Sequence, residues 1–193
     1  MTERPVLATD RLILRPWRDA DREALGALNA DPEVMAHFPA PLDRAASDAM
    51  LERMRGQFAT LGFGFWAVTE APDGPLLGLV GLGAPRFEAH FTPCIEVAWR
   101  LGRAHWGKGY ASEAARAALV FGFERAGLDE IVAMTLPTNR RSQAVMERLG
   151  MTRDPADDFD HPNVPEGHAM RRHLLYRLTR DAWRGGQEQQ QGA

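Results

Sequence analysis

The segment from Ile95 to Ala118 constrains this chain most, because a strand-like run, a loop with two glycines and a small-residue helix follow one another there. Ile95-Glu96-Val97-Ala98-Trp99-Arg100-Leu101 reads as a strand, with Glu96 on the face opposite Val97 and Trp99. A long helix is predicted from about Tyr110 to Ala126, closed by Gly127 as the residue after its C-cap. Gly107 and Gly109 lie between. The amides of a helix's first turn have no intrahelical partner and sit at the positive end of its dipole. Glycines let a diphosphate approach the backbone without a side chain in the way. Ser112 offers a hydroxyl in the first turn, and Arg103, Lys108 and Arg116 supply positive charge. The segment is an anion site by construction.

The rest of the sequence forms a setting for that unit. Leu12–Arg15 reads as a short strand ended by Pro16, 21–29 and 47–59 as helices, and 63–69 and 76–82 as strands joined through Pro72-Asp73-Gly74-Pro75. Strand 131–136, helix 141–149 closed by Gly150, and a last strand or hairpin half within 168–179 follow. This order predicts a mixed α/β or α+β sheet with at least one crossover unit. At 193 residues, with no repeat and no dividing linker, one domain over 1–184 is expected. The Gln-rich tail 185–193 reads as a disordered polar segment.

Composition excludes several classes. A net charge of −3 gives no electrostatic footprint for nucleic acid. No apolar run approaches the ~18 residues that span a bilayer, so no membrane role is expected. One cysteine, Cys94, allows neither an internal disulfide nor a cysteine-based zinc site, which fits a reducing, cytoplasmic setting. Asp158, Asp160, His161 and His168 match no metal spacing, so no metal is expected.

Three phosphate-binding readings compete for the glycine loop. Gly102 to Lys108 fits G-x-x-x-x-G-K, but Gly109 stands where a P-loop needs Ser or Thr for magnesium. Gly107 to Ser112 nearly fits G-x-G-x-x-G, but the third small residue is serine and Asp129 and Glu130 precede the next strand instead of ending it. The third reading is the pyrophosphate loop of the GNAT N-acetyltransferases, whose pattern is Gln/Arg-x-x-Gly-x-Gly/Ala. Trp106-Gly107-Lys108-Gly109-Tyr110-Ala111 resembles it closely, with Trp106 in the first place. Thr9-Asp10-Arg11-Leu12-Ile13-Leu14-Arg15-Pro16, Thr138–Ser142 and Met146–Met151 are similar to the ribosomal-protein-alanine acetyltransferases of that superfamily.

The resemblance implies a splayed, mostly antiparallel central sheet flanked by helices, with acetyl-CoA as co-substrate. It implies that the thioester arm lies along Trp99 and Leu101, that Trp106, Gly107, Lys108, Gly109, Tyr110, Ala111 and Ser112 hold the pyrophosphate, and that Asn139 contacts the coenzyme. A strand N–H then polarises the acetyl carbonyl, and an amine attacks directly without a covalent enzyme intermediate. Many relatives place a tyrosine seven residues after that asparagine, where this chain has Met146. Ser142 is then the candidate hydrogen-bond donor to the departing thiolate, and the alternative for Asn139 and Ser142 is helix capping. Glu96 is the candidate base, with Asp158, Asp160 and His161 as a second group.

The acceptor is expected to be an amine held by the irregular pieces 35–41, 85–93 and 157–168, with Phe87 and Phe91 as candidate pocket residues. The acidic run Asp157, Asp158, Asp160 and Glu166 suits a cationic amine, and a protein N-terminus, polyamine, aminoglycoside or amino acid all qualify. A homodimer is compatible with the family. A non-catalytic acyl-CoA-binding module and a nucleotide enzyme using Gly102 to Lys108 are the alternatives.

Overall fold

A computed structural model describes residues 5–191. Two compact units share the chain. The first holds the chain up to Gly83 together with Ala98–Ala118, and the second holds Ala84–Val97 and the chain from Leu119 onward.

In the first unit, β1 (Leu7–Ala8), β2 (Ile13–Arg15), β3 (Phe65–Thr69) and β4 (Gly78–Gly83) form an antiparallel run, followed in the sheet by β5 (Glu96–Leu101). The predicted strand at 76–82 is regular only from Gly78, although Leu77 just before it still bonds to β3. Its N–H donates to the Val68 carbonyl at 2.8 Å and its own carbonyl accepts from the Gly102 N–H at 2.9 Å. Gly78 is required where β4 meets β5: a Cβ there would stand 2.2 Å from the Arg100 carbonyl oxygen.

Helices α1 (Arg22–Ala30) and α2 (Arg44–Leu61) bury Leu25, Leu28, Leu51 and Met54 with Trp17, Val34, Ala67 and Leu79. Helix α2 begins where a side chain satisfies one of its orphan amides. Asp43 caps α2 by accepting from the Ala46 N–H at 2.7 Å. Ahead of α1, a 3-10 turn at Asp19–Asp21 is held by buried Asp21, which accepts from the Arg18 N–H and from both Nη atoms of buried Arg15 at 2.7 Å.

Helix α3 (Tyr110–Val120) buries Ala114, Ala115, Ala118 and Leu119. The periodicity predicts an unbroken helix to Ala126, but the last turn, Phe121–Arg125, widens to π geometry, with Ala126 N–H on the Phe121 carbonyl at 2.9 Å. Gly127 follows at φ 70°.

In the second unit, Glu96 of β5 pairs in parallel with Val132 of β6 (Glu130–Thr135), and β6 pairs antiparallel with β9 (Arg172–Thr179). The short strands β7 (Thr152–Arg153) and β8 (Phe159–Asp160), too brief for a periodicity signal, also pair with β9. Phe91, Val132, Phe159 and Leu175 form one of its buried apolar clusters. Helix α4 (Arg140–Arg148) follows β6, and α5 (Arg180–Gln191) takes in residues 185–191 of the polar tail, residues 192 and 193 lying outside the described ones. The fold is the expected mixed α/β class, with an open, mostly antiparallel sheet. Among the described residues no helix is long and apolar enough to cross a membrane.

Candidate active site

The glycine loop is built by backbone geometry. Gly107 and Gly109 adopt φ 75° and 81°, a left-handed conformation that side-chain-bearing residues rarely hold. A Cβ on Gly107 would meet nothing within 4 Å, so the loop is open on that side. The first bond of α3 is Glu113 N–H to the Gly109 carbonyl at 3.0 Å. The amides ahead of it have no acceptor within the helix and point forward from its positive end. A helix end of this kind can receive an anion. Lys108 is exposed, and Ala111 and Ser112 sit half-buried on the first turn.

A residue from the opening strand segment pins this loop. The Arg11 guanidinium donates to the Lys108 carbonyl at 3.0 Å and to Glu113 Oε2 at 2.7 Å, and its backbone N–H donates to Glu113 Oε1 at 3.0 Å. Thr9 Oγ1 donates to the same carboxylate at 2.6 Å. Burial raises the Glu113 pKa, but these donors outweigh it and leave the carboxyl below its ordinary range. Glu113 therefore stays ionised and keeps Arg11 in place. Tyr110 lies under the Arg11 guanidinium, 4.8 Å from its ring centroid, and its hydroxyl donates to Glu70. That hydrogen bond raises the tyrosine's pKa.

Trp106 ties the loop back to its strand, with Nε1 donating to the Leu101 carbonyl at 2.8 Å and the ring packing on the α1–α2 core. Trp99 is half-buried and Leu101 buried. All the residues from Trp99 to Ser112 lie in the first unit, whereas Glu96, Asn139 and Ser142 lie in the second.

In the second unit, Glu96 is half-buried, and burial pushes its carboxyl up to about 7. Asn139 is the N-cap of α4, its Oδ1 accepting from the Ser142 N–H at 3.2 Å. Capping, weighed as the alternative for this pair, is therefore realised for Asn139, and it holds Ser142 in the first turn. Met146, in the place of the family tyrosine, is buried.

The three aspartates of the late acidic run are held by arginines, while Glu166 is exposed. Asp157 is paired with Arg177 at 2.7 Å, Asp158 with Arg153, and Asp160 with Arg171 at 3.6 Å and Arg172 at 3.4 Å. The guanidiniums of Arg177 and Arg153 hold Asp157 and Asp158 below the usual carboxylate range. Phe87 and Phe91 pack with Phe159 at 5.9 and 4.8 Å between ring centroids, and His161 lies 4.4 Å from Phe87. Burial lowers the pKa of His161 and of His173. Among the described residues no group of three or more His, Cys, Asp or Glu side chains is placed to hold a metal.

Sequence reasoning does not reach Arg11, Glu113, Thr9 and Glu70 as site residues. Their partners lie far along the chain, 102 residues in the case of Arg11 and Glu113, and no local spacing signals such a pairing.

Comparison with known proteins agrees with this geometry. The family model for the acetyltransferase (GNAT) domain matches residues 11–152. The FsC-acetyl coenzyme A-N(2)-transacetylase of Aspergillus fumigatus is 32% identical over 190 residues, covering 93% of this chain and 78% of the relative. YkkB of Bacillus subtilis is 32% identical over 152 residues, covering 78% of this chain and 87% of that protein. An acetyltransferase structure from Agrobacterium tumefaciens superposes with a TM-score of 0.74 at 31% identity, covering 92% and 96% of the two chains. With a glycine cradle at a helix N-terminus and a matching family model over most of its length, the chain belongs to the GNAT family and is an N-acetyltransferase that draws its acetyl group from acetyl-CoA.

Proposed function

We propose that residues 1–184 act as one catalytic domain that moves acetyl directly to a primary amine, either a protein N-terminus or a small amine. The observation that carries this reading is the pair of left-handed glycines opening α3, pinned through the Lys108 carbonyl by Arg11. Gly107 to Ser112 hold the pyrophosphate of acetyl-CoA through backbone amides and the Ser112 hydroxyl, with Lys108 adding charge. Trp106 supports the loop through Leu101. Trp99 and Leu101 offer strand backbone to the thioester arm. Bound acetyl-CoA supplies an activated carbonyl, and the strand's N–H is oriented to hold its oxygen as charge develops there. Asn139 keeps Ser142 in the first turn of α4, where the serine hydroxyl donates a hydrogen bond to the departing thiolate.

Glu96 takes the proton that an ammonium must lose before it can attack. A carboxyl raised to about 7 is a far better acceptor near neutral pH than an ordinary glutamate. The name of the A. fumigatus relative, a transfer from acetyl coenzyme A to a nitrogen, supports the same chemistry. A cytoplasmic setting suits the single thiol of Cys94, which burial pushes up to about 11 and so keeps unreactive.

Calorimetric titration with acetyl-CoA, with ATP–magnesium as the control, tests this reading. Binding of acetyl-CoA alone is expected at micromolar Kd, about −8 kcal/mol. Binding of ATP alone would overturn the assignment of the loop.

A further inference from the structure

Arg100 is a half-buried cation with no carboxylate beside it among the described residues. Its Nη1 donates to Asn29 Oδ1 and lies 3.8 Å from Met50 Sδ, and both partners are uncharged. Its Nε is buried and meets no acceptor among the described residues. Desolvation alone acts on it and pulls its pKa down to about 10. A buried guanidinium without a carboxylate is costly, and such a group is normally paired. Asn29 is itself locked in orientation. It is fully buried, and its Nδ2 donates to buried Ser47 Oγ at 2.9 Å, which turns Oδ1 toward Arg100.

The edge without a partner has a particular chemistry. Asn29 occupies Nη1, so the remaining edge of the fork runs along Nε and Nη2, two parallel donors spaced to receive both oxygens of one carboxylate. Phe38 lies across the guanidinium, 4.2 Å from its ring centroid to Cζ. It is one of the few large apolar side chains left exposed, and residues 36–41 around it are exposed as well. An aromatic face beside a charged fork is a surface for a small organic anion, not for a free inorganic ion.

The location connects this pocket to the reaction. Arg100 stands on β5 between Trp99 and Leu101, and strand alternation sends its side chain to the opposite face from theirs. We propose that Arg100, Asn29 and Phe38 form a carboxylate-binding pocket and that the acceptor is a small amine carrying a carboxylate, of the amino-acid type. This rests on the transferase reading above and selects among its acceptors. It runs against a polycation, because an uncompensated arginine repels one and the three aspartates of the late acidic run are each paired with arginines.

The experiment measures thiol release from acetyl-CoA with the free L-amino acids, their amides and spermidine as acceptors. An amide's amine is less basic and more available, so a preference for the acid runs against intrinsic reactivity. At least one amino acid is expected to exceed its amide about tenfold or more in kcat/KM, the size of one charge-assisted contact. Arg100→Gln is expected to bring that ratio close to one, and Arg100→Lys to leave it intermediate, with acetyl-CoA affinity by calorimetry unchanged in both. The wild-type ratio decides the matter even if a variant fails to fold. Amides or spermidine used as well as the free acids, no turnover of any carboxylated amine, or an unaltered ratio in a folded Arg100→Gln protein would each overturn the proposal. Failure of the wild type to bind acetyl-CoA would remove the transferase reading itself, which the titration registers separately.

Discussion

Glu96 illustrates how much a single burial changes. An exposed glutamate near its ordinary 4.5 is a poor base, whereas enclosure on β5 brings the carboxyl to about 7. The sign follows from which form is penalised. Burial disfavours the ionised form, so Glu96 as the proposed base is switched off below about 7 and on above it, and kcat is expected to rise with pH through that value. Glu96→Gln is expected to lower kcat about 100-fold, within the usual range for a positioned base, and to abolish the rising limb. Stability moves oppositely. The unfolded chain releases this proton near 4.5 and the native state only near 7, so the native state loses stability as pH rises across that window. Glu96→Gln is expected to lack that loss in thermal unfolding. A wild-type limb retained in the variant would transfer the role to another group.

At the scale of the element, the strand–loop–helix unit is what the sequence made most legible. Gly107, Gly109 and the small-residue helix after them announce their geometry locally, because only glycine takes positive φ freely and only a helix N-terminus presents forward amides. Gly109→Glu is therefore expected to abolish acetyl-CoA binding. It puts a side chain into the left-handed position, 3.3 Å from Arg11 Nη2 at its Cβ, and a carboxylate where phosphate belongs. Unchanged affinity in calorimetry would remove the loop from the site. What stayed hidden depends on distance along the chain. Arg11 reads locally as part of a strand opening, and only the fold brings it to Lys108 and Glu113. Arg100 reads as an ordinary strand residue until Asn29 and Phe38 stand beside it. Short strands such as β7 and β8 escape for the same reason, since two residues carry no period and exist only through β9.

Across the whole molecule the cationic side chains are unevenly divided between two chemistries. Of the 23 lysines and arginines, Lys108 is the only lysine. Arginine serves as the fold's structural cation, as in Arg15 with Asp21, Arg153 with Asp158 and Arg177 with Glu130 and Asp157, where a planar fork meets a carboxylate. The one compact, rotatable ammonium is kept for the loop between the two left-handed glycines, where it is exposed. The loop's role can therefore be tested without a mutation. An amine-reactive reagent can modify only Lys108 and the N-terminal amine of the purified chain, and the second serves as an internal reference. With acetyl-CoA at ten times its Kd, Lys108 is expected to react about tenfold more slowly, as simple occupancy requires, and the reference amine at its original rate. CoA is expected to protect as well as acetyl-CoA does, because the contact is to phosphate and not to the acetyl group. Equal labelling with and without the coenzyme, read by peptide mass spectrometry, would place the pyrophosphate away from this loop.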